Sequence, residues 1–548
     1  MYSYLLSISH SSSRIARCRR PYLLSSAVAA VLSVRSASAL SATNGMLASV
    51  SDVSFHLNNP SLLPAADNLT SDEKTFNVVN PGSMDGKEII AKCRVMDQSD
   101  AKTIIESSAA ALSSWRDETT CLHRSKILTE WSESIKDNLE DVAKIMTMES
   151  GKPLAESKGE VMYACAFLDY YAGEALRPTS AGGGFIAPTT FATPEGAPRG
   201  QIMAINEAVG VCGMVTPWNF PAAMITRKVG PALAAGCTAV VKPSELTPLT
   251  AIALCELGKK AGIPDGVFEL VVADAKTTPG VGAELCSNPI VKKISFTGSV
   301  AVGKLLAKQS AETVKKVSLE LGGNAPFIVF DDADVDVAVS SAIASKFRHA
   351  GQTCVCADRF LVHNSIHDEF VSKLVAAVEQ FKVDQGMNEG TTMGPLITQK
   401  AAESVEAKVR EAVADGGKCL TGGSALTSVG TNFFQPTIIT NVQTHSRLWK
   451  EETFGPVAAV RSFDTEEEAI EQANDCSVGL SSYFCSRDLS RVFRVARKIE
   501  SGIVGINDGI ISTASAPFGG IKESGLGREG SAMGLSEYLE TKYMFVNA

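Results

Sequence analysis

Short runs of β-branched and apolar residues alternate with helical patterns along most of the chain, and the stretch from Val211 to Gly303 shows this best. Predicted strands lie at residues 211–215, 237–241, 268–272 and 293–296. Predicted helices lie at residues 222–235, closed by Gly236, at 248–261, with Thr247 as N-cap and Gly262 just past the end, and around 281–286. Repeated β-α-β units of this kind build a doubly wound parallel sheet, which binds ligands at the carboxyl ends of its strands.

A second alternating block runs from Ala325 to about Ile511, with predicted strands at residues 327–330 and 360–362. The pattern therefore predicts the α/β class, with two doubly wound parallel-sheet (Rossmann-like) domains and the chemistry at their junction. A Gly- and Pro-rich segment, residues 182–198, interrupts the first block, and residues 537–545 predict a late strand. Both segments lie outside the two predicted cores.

The composition narrows the possible partners. The chain has 548 residues, of which 45% are hydrophobic, and a formal net charge of -9. Phosphate binding needs a basic surface, so nucleic acid is not expected as the main partner and a small-molecule substrate is favoured. No apolar run approaches the roughly 18–20 residues that span a bilayer, so no membrane partner is expected. The 13 cysteines are an odd number with no regular spacing, which favours reduced thiols.

Three residues next to predicted strands carry candidate chemistry. Cys354 lies after a Gly-polar turn, where a nucleophile can reach a substrate, although an inert buried thiol is favoured by this motif alone. Glu320 follows the apolar run 317–319 and could act as a general base, although a solvated loop acid is favoured by this motif alone. Asn219 lies between two prolines and could serve as an oxyanion donor or as a cap of the next helix.

Two further motifs follow predicted strands, where phosphates and riboses bind. Gly298 and Ser299 open a helix that includes Gly303, and this position suits a pyrophosphate. Because the segment is not the Gly-x-Gly-x-x-Gly fingerprint, it is a weak signal by itself. Lys242 and Glu245 follow another strand, where they could bracket a ribose, but a solvated charge pair explains them equally well.

These motifs occur together and in one order, and in that combination the chain resembles the aldehyde dehydrogenase superfamily. The resemblance extends from about Phe76 to the C-terminus. It rests on six spaced motifs: Trp218-Asn219-Phe220-Pro221, Lys242 with Glu245, Gly298 with Gly303, Glu320-Leu321-Gly322-Gly323, Cys354, and Glu452-Thr453-Phe454-Gly455-Pro456.

The resemblance implies a catalytic role for each of the three candidate residues. Cys354 attacks the aldehyde carbon, and the Asn219 side chain with the Cys354 backbone N–H holds the oxyanion. Hydride passes to the nicotinamide, and Glu320 activates the water that hydrolyses the thioester. Relatives that transfer the acyl group to coenzyme A usually lack this glutamate, so its presence favours hydrolysis.

The resemblance also implies an NAD site. Lys242 and Glu245 would hold the adenosine ribose, Ser299 the pyrophosphate, and Glu452 with Phe454 the nicotinamide ribose and ring. Glu245 favours NAD, since a carboxylate accepts both ribose hydroxyls and repels the 2′-phosphate of NADP. Some relatives with this glutamate use NADP, so NADP stays possible. The remaining residues implied to bind the cofactor are Trp218, Ser244, Gly298 and Gly303.

The family fold implies a division of the chain into parts. The implied parts are an NAD-binding domain (58–181 and 207–321), a catalytic domain (322–530) and an oligomerisation arm of β-structure (182–206 and 531–548). The arm implies a homo-oligomer, a tetramer by family habit with a dimer as the alternative.

Within the superfamily the chain most resembles the succinate-semialdehyde dehydrogenases, which act in GABA degradation. The residues that carry this resemblance are 223–230, 346–348, 354–356, 511–512 and 517–520. The subfamily binds the substrate carboxylate with two arginines and a serine, here Arg227, Arg348 and Ser512, and guanidinium groups suit a carboxylate geometrically. The alternative is that both arginines are helix-surface residues. His349 departs from the subfamily, where asparagine or a small polar residue is expected.

Other functions stay open at this point. Another carboxylated semialdehyde, such as glutarate semialdehyde, fits the same arginines, whereas a cationic aminoaldehyde would be repelled by them. A catalytically inactive binding protein on the same scaffold is the alternative from another class. The intact Cys354, Glu320 and Asn219 argue against it.

Cys356 lies two residues after the implied nucleophile. The subfamily resemblance implies a reversible Cys354–Cys356 disulfide that switches the enzyme off under oxidation, and such short-loop disulfides are labile. The alternative is a packed thiol. No metal site is expected, because no second ligand cluster is near the pair.

Residues 1–50 predict an organelle transit peptide. No Asp or Glu occurs before Asp52, and the segment contains many Ser and Ala with Arg14, Arg17, Arg19, Arg20 and Arg35. This composition favours the mitochondrial matrix, with the plastid as the alternative because the apolar run 22–34 is followed by small residues. A disordered N-terminal extension without a targeting signal is a third option. A secreted enzyme is disfavoured, since its nucleophilic thiol would have to stay free in an oxidising space.

Overall fold

The computed structural model describes residues 46–50, 57–63 and 74–547. Residues 1–45 of the predicted transit peptide lie outside the described residues. Leu47–Val50 form a strand that pairs with a later one, so regular structure begins before residue 50, earlier than the composition predicts. The physical reason is that the Met46 and Leu47 side chains are apolar and buried.

The helices fill most of the chain between the strands. They are α1 (Gln98–Asp117), α2 (Cys121–Asp137), α3 (Leu139–Ser150), α4 (Leu154–Glu174), α5 (Ala223–Ala235), α6 (Pro248–Lys260), α7 (Thr278–Ser287), α8 (Val300–Ser310), α9 (Val335–Lys346), α10 (His367–Val378), α11 (Gln399–Ala414), α12 (Arg447–Lys450), α13 (Glu466–Asn474), α14 (Leu489–Lys498) and α15 (Ser531–Ser536). Short 3-10 helices are Pro60–Leu62, Ala311–Thr313, Arg348–Gly351 and Asn364–Ile366. In the part of the chain that the structure describes, no helix combines the length and hydropathy that a bilayer crossing requires.

The strands are mostly short. They are β1 (Leu47–Val50), β2 (Thr75–Asn80), β3 (Glu88–Arg94), β4 (Gly184–Ala187), β5 (Gln201–Ala208), β6 (Val211–Val215), β7 (Thr238–Lys242), β8 (Phe268–Leu270), β9 (Val291–Thr297), β10 (Lys316–Glu320), β11 (Ala325–Val329), β12 (Ala357–His363), β13 (Lys418–Thr421), β14 (Thr437–Thr440), β15 (Val457–Phe463), β16 (Val478–Gly479), β17 (Ser481–Cys485), β18 (Ile503–Ile506), β19 (Ile521–Lys522), β20 (Gly525–Leu526) and β21 (Leu539–Val546).

Two parallel sheets organise the fold. The first has the strand order β20-β10-β9-β6-β7-β8 and is parallel except for the edge strand β20. The second has the order β13-β14-β15-β12-β11-β17-β18 and is parallel except for the edge strand β13. Every residue of β7 and β11 is buried, as expected for parallel strands covered by helices on both faces. The predicted α/β class with parallel-sheet domains is confirmed.

Each sheet has its own hydrophobic core. One cluster of buried side chains surrounds the first sheet and helices α1 to α7, and a second surrounds the second sheet and helices α9 to α13. Residues 525–526 join the first sheet although they follow the whole second block in sequence. The predicted domain boundaries themselves stay a prediction.

The segments outside the two cores form a separate antiparallel sheet with the order β21-β5-β4. The late strand predicted at residues 537–545 is therefore real, at Leu539–Val546, and it pairs along its whole length with β5. Phe185, Ile186 and Tyr543 of this sheet are more than half exposed. We call these three strands the β-arm.

The predicted elements between residues 211 and 297 are confirmed with shifts of a few residues. Helix α5 ends at Gly236, which has a left-handed φ of 87°. Thr247 occupies the N-cap position of α6, but its side chain does not cap the helix. The buried Glu149 carboxylate of α3 accepts hydrogen bonds from the Leu249 and Thr250 N–H groups instead. Tertiary structure thus supplies the cap that local sequence predicted from Thr247.

Candidate active site

A cavity of about 540 Å3 is lined both by residues that follow strands of the first sheet and by residues of the second block. This is the junction that the sequence predicts to carry the chemistry. The predicted site residues that line it are Cys354, Glu320, Asn219, Trp218, Gly298, Ser299, Glu452, Phe454, Arg227, Arg348 and Ser512. Lys242, Ser244, Glu245, Gly303 and Cys356 do not line this cavity.

Cys354 lies in a tightly turned loop before β12. His349 and Ala350 have φ values of 50° and 52°, in the left-handed region that residues with side chains rarely adopt. Gly351 is also left-handed, and a Cβ there would lie 2.1 Å from the Gly455 carbonyl oxygen, so only glycine fits. A turn of this kind persists only where the surrounding structure fixes it, and here it fixes the approach to the candidate nucleophile.

The Cys354 thiol is protonated at rest. Burial raises its pKa to about 12, against the opposing effect of the Arg227 guanidinium, and the nearby Glu452 and Glu320 carboxyls add to the rise. A thiolate is the nucleophilic form of cysteine, so this thiol needs a base before it can attack.

Glu320 is the last residue of β10 and is only 2% exposed, so the interpretation as a solvated loop acid is wrong. Neither of its carboxyl oxygens has a hydrogen-bond partner among the described residues. Burial raises its pKa well above the ordinary value and Glu529 adds to the rise, while Arg227 and Lys228 partly offset it. A carboxyl with a raised pKa is a stronger base than an ordinary one, which suits a general base.

Asn219 connects the loop after β6 with the Cys354 loop. Its Nδ2 donates a hydrogen bond to the Gln352 carbonyl at 2.9 Å. The interpretation of Asn219 as a cap of α5 is therefore wrong, because the side chain points to another loop. One amide N–H is used by Gln352, so a second donor remains on the same nitrogen beside the cavity.

Arg227 and Arg348 reach the cavity from different elements. Arg227 on α5 is 1% exposed, so it is not a helix-surface residue. Its Nε lies 2.6 Å from Glu529 Oε2, and although burial opposes the charge, this carboxylate raises the pKa of Arg227. Arg348 is half-buried, and its buried Nε has no hydrogen-bond partner among the described residues. Ser512 lines the same cavity.

Glu529 pairs with an arginine that lines the cavity, and no sequence motif revealed it. It is buried and forms ion pairs with both Arg227 and Lys228. Although burial opposes its charge, these two cations hold the pKa of Glu529 below its ordinary value. The available signal was the pair Arg227-Lys228 inside an otherwise apolar helix, since two buried cations require a carboxylate partner.

One face of α4 also borders the cavity and was missed by the sequence reasoning. Glu156, Glu160 and Tyr163 line it, and their spacing of four and three residues places them on that face. Burial raises the pKa of the Tyr163 hydroxyl, while the charge of Arg227 and hydrogen bonding with Arg227 and Ser512 oppose the rise. The helical spacing of these polar residues was the signal that could have found them.

The residues implied to bind a nicotinamide ring line the same cavity as Cys354. Trp218 and Phe454 meet edge to face, with ring centroids 5.6 Å apart. Glu452 accepts a hydrogen bond from the Gly323 N–H at 3.2 Å, and a Cβ on Gly322 would lie 2.5 Å from its Oε2. Gly322 thus makes room for this carboxylate. Burial and Asp358 raise the pKa of Glu452 to about 8.

The residues implied to bind the rest of the cofactor lie at the carboxyl ends of β7 and β9. Lys242 Nζ lies 3.2 Å from Glu245 Oε2, and the lysine is buried, so the interpretation as a solvated charge pair is wrong for Lys242. Ser244 accepts a hydrogen bond from the Leu246 N–H. The Ser299 hydroxyl caps α8 by accepting from the Val302 N–H.

Gly303 has a packing role in the structure. It lies in α8, where a Cβ would come within 2.4 Å of the Leu321 side chain. Its small size lets α8 approach the strand end that carries Glu320. Its implied part in cofactor binding stays a prediction.

Cys356 is buried, and its thiol donates to the Lys346 carbonyl. Both Cys354 and Cys356 are free thiols in the structure. The implied reversible disulfide between them stays a prediction.

Comparison with known proteins agrees with this geometry. The model of the "Aldehyde dehydrogenase family" matches residues 69–544. The chain is 49% identical over 471 residues to a mitochondrial succinate-semialdehyde dehydrogenase of Rattus norvegicus, covering 86% of this chain and 87% of that protein. It is 49% identical over 474 residues to a glutarate-semialdehyde dehydrogenase of Pseudomonas putida, covering 86% and 95%.

Among solved structures, the chain is similar to an NADP dependent enzyme of E. coli, with a TM-score of 0.84 and 47% identity. The match covers 90% of this chain and 100% of that chain. Sequence similarity over most of the length and the shared fold lead to one conclusion. The chain belongs to the aldehyde dehydrogenase family.

Proposed function

We propose that this protein catalyses the NAD-dependent oxidation of succinate semialdehyde to succinate. The observation that carries the proposal is the composition of one cavity. It places a cysteine, a buried glutamate and an asparagine amide, Cys354, Glu320 and Asn219, beside two arginines, Arg227 and Arg348. The first three groups are those needed to oxidise an aldehyde through a thioester, and the arginines select an aldehyde with a carboxylate.

The reaction begins at Cys354. Because burial holds its thiol protonated, Glu320 accepts the proton as the sulfur attacks the aldehyde carbon. The negative charge that develops on the aldehyde oxygen is stabilised by the second N–H of Asn219 and by the Cys354 backbone N–H. Loss of hydride from the resulting thiohemiacetal leaves a thioester on Cys354. After Glu320 has released the thiol proton to solvent, it takes a second proton from water, whose oxygen attacks the thioester. The C–S bond breaks, the acid leaves, and Cys354 departs as a thiolate that takes up a proton to regenerate the thiol.

The residues around the cavity fit a nicotinamide dinucleotide. A helix N-terminus at Ser299 suits a pyrophosphate, and the buried Thr297 hydroxyl beside it has no hydrogen-bond partner among the described residues. The Lys242–Glu245 pair at the end of β7 suits a ribose. When bound, the nicotinamide supplies the hydride acceptor. Trp218 and Phe454 would contact the nicotinamide ring. The other residues that would bind the cofactor are Ser244, Gly298 and Glu452.

Glu245 supports NAD over NADP. Its carboxylate is one-third exposed beside Lys242, and a negative charge at the ribose repels a 2′-phosphate. The E. coli enzyme of known structure is described as NADP dependent, so both nucleotides belong in the test.

Arg348 supports the choice of a carboxylated aldehyde. Arg227 is already paired with Glu529, whereas the Arg348 Nε has no hydrogen-bond partner among the described residues and lies beside the cavity. A substrate carboxylate would supply the missing acceptor, and Ser512 would donate a further hydrogen bond. Arg348 is therefore the main carboxylate partner in this proposal, with Arg227 in second place.

Glutarate semialdehyde is the second candidate substrate. The Pseudomonas putida relative named for it is as similar to this chain, at 49% identity, as the rat relative named for succinate semialdehyde. The two substrates differ by one methylene, for which a pocket discriminates by about 1–3 kcal/mol.

The test measures kcat/KM with succinate semialdehyde, glutarate semialdehyde, butanal and 4-aminobutanal, each with NAD and with NADP. We expect the highest value for succinate semialdehyde with NAD, and no turnover in Cys354→Ala. Equal values for butanal would contradict the carboxylate site but not the aldehyde dehydrogenase reaction. A higher value for glutarate semialdehyde would favour the second candidate.

We also propose a homo-oligomer and a mitochondrial matrix location. The exposed apolar side chains Phe185, Ile186 and Tyr543 of the β-arm support association, since such patches on single chains are usually covered by a partner. The acid-free N-terminal sequence supports organelle import, and the rat relative is described as mitochondrial. Light scattering tests the first proposal, with Phe185→Asp expected to dissociate the oligomer. Imaging of a fluorescent fusion with and without residues 1–45 tests the second, with the plastid as the alternative.

A further inference from the structure

A buried ion pair lies beneath the loop that carries Asn219. Lys152 follows Gly151 at the end of α3, and Glu160 lies in the second turn of α4. Their side chains are each 1% exposed and form a direct ion pair. Burying two charges costs more than a surface pair gains, so such a pair is weak evidence for a purely stabilising role. Its other contacts indicate what it does.

Lys152 contacts the backbone of the candidate oxyanion donor. Its Nζ donates a hydrogen bond to the Asn219 carbonyl at 3.0 Å. The same ammonium lies 4.0 Å from the centre of the Phe220 ring. The Glu160 carboxylate, the Asn219 carbonyl and the Phe220 ring therefore fix the ammonium, and the ammonium in turn fixes two consecutive residues of the loop.

Glu160 contacts the other end of the same loop. Its Oε1 accepts hydrogen bonds from the Ala222 N–H at 3.0 Å and the Ala223 N–H at 3.3 Å. Ala223 is the first residue of α5, and the N-cap residue Ala222 has no side chain that could cap the helix. The carboxylate thus caps α5 from a different helix and complements its dipole. Arg227 lies one turn further along α5.

The position of the Asn219 amide depends on this backbone. One of its N–H groups is directed to the Gln352 carbonyl, so rotation of the side chain alone cannot aim the other. Hydrogen-bond donors to an oxyanion act only over a narrow range of distance, and small displacements cost much of the rate. A contact that fixes the Asn219 carbonyl would therefore also fix the position of the Asn219 side chain.

We propose that Lys152 and Glu160 are positioning residues for the oxyanion site. Lys152 holds the Asn219 backbone, and Glu160 holds the start of α5, so that the free N–H of Asn219 faces the aldehyde oxygen. Neither residue takes part in proton transfer in this proposal. The inference rests on the proposed function of Asn219 as the oxyanion donor.

A double-mutant cycle tests the proposal. The pair variant Lys152→Met/Glu160→Gln removes both charges together, and the new glutamine can still accept from the Ala222 and Ala223 N–H groups. This variant, Asn219→Ala and their combination are compared for kcat and KM with succinate semialdehyde and NAD. The thermal unfolding midpoint of each variant is measured in parallel. If the pair variant does not fold, Lys152→Arg, which keeps the charge but displaces the donor atom, takes its place.

The expected result is strong non-additivity in kcat. Removing an oxyanion donor lowers kcat by roughly 100- to 1000-fold, and we expect the pair variant to lose about 10- to 100-fold with little change in KM. In the Asn219→Ala background the same pair change should lower kcat by less than about 3-fold, because the group it positions is gone.

Lys293→Met is the matched control. Lys293 is a buried lysine that contacts Ser318 and Glu537 and does not line the cavity. Its loss should change kcat by the same factor in both backgrounds. Full multiplication of the pair and Asn219 effects would overturn the positioning proposal while leaving the oxyanion assignment intact. An unchanged kcat in Asn219→Ala would overturn the oxyanion assignment and, with it, the positioning proposal.

Discussion

Removing the Arg348 guanidinium should lower kcat/KM for carboxylated aldehydes and leave kcat/KM for neutral aldehydes nearly unchanged. Arg348 is half-buried at the cavity, and its Nε has no hydrogen-bond partner among the described residues. None of the ion pairs found among the described residues includes Arg348, so Arg348→Ala leaves no carboxylate of such a pair without its cation. Arg227→Ala would be a poorer choice, because it strips Glu529 of a buried cation partner at 2.6 Å.

The magnitude follows from the bonds that a substrate carboxylate would make. A hydrogen bond to a charged group contributes about 1.5–3 kcal/mol, and about 1.4 kcal/mol corresponds to a factor of ten. Loss of the Arg348 contact should thus lower kcat/KM for succinate semialdehyde by roughly 10- to 140-fold. For butanal, which has the same carbon chain without the carboxylate, the change should stay within about 3-fold.

The assay follows the absorbance of the reduced nicotinamide at saturating NAD for the wild type, Arg348→Ala and Arg348→Lys. Lysine keeps the charge without the planar fork, so Arg348→Lys should fall between the other two. Arg410→Ala on the exposed face of α11 is the matched control. Alkylation of Cys354 by iodoacetamide checks that the nucleophile remains accessible.

An equal loss of kcat/KM for succinate semialdehyde and butanal in Arg348→Ala would contradict the contact between Arg348 and the substrate carboxylate. That result would assign Arg348 to the shape of the Cys354 loop rather than to the substrate. An unchanged value for both aldehydes would remove Arg348 from the site altogether.

Three further predictions concern the base, the cofactor and the second thiol. The Glu529 carboxylate raises the pKa of Glu320, and it also pairs with two cations, Arg227 and Lys228, that lower this pKa. Glu529→Gln should therefore lower the pKa of Glu320 and move the acid limb of the kcat–pH profile to lower pH. An acid limb that stays in place or moves to higher pH would contradict this coupling. Glu245→Ser should raise the NADP/NAD ratio of kcat/KM by at least about 10-fold, since it removes a charge that repels the 2′-phosphate. Peroxide should make the wild type lose the Cys354 and Cys356 thiols together without overoxidation of Cys354, whereas Cys356→Ser should overoxidise and recover less activity with reductant; equal recovery in the two proteins would contradict the protective Cys354–Cys356 disulfide.

Local sequence was sufficient for most of the architecture. Alternating strand and helix patterns placed β6 to β9 and α5 to α7 within a few residues, because each element presents an apolar run of the right length and ends at a turn residue such as Gly236. The Gly- and Pro-rich segment and the late strand were correctly set apart from the cores. The start of the fold was predicted too late, because composition does not show that Met46 and Leu47 are buried.

Local sequence was not sufficient where a residue depends on a distant partner. Glu149 caps α6 from 100 residues away, and Glu160 caps α5 from 62 residues away. Neither glutamate belongs to a motif near the helix that it caps, so propensity at the cap residue predicts nothing about them.

The sequence by itself singled out the groups that we propose for the reaction. Glu320 and Asn219 each stand out at or after the carboxyl end of a predicted strand, and Cys354 stands out in a Gly-polar turn that precedes one. Only the tertiary structure decided the protonation and charge of these groups. Burial makes the Cys354 thiol neutral and the Glu320 carboxyl a stronger base, and Glu529 neutralises the cations of α5. The physical reason is that burial and long-range charge set a pKa, and both arise only when segments far apart in sequence pack together.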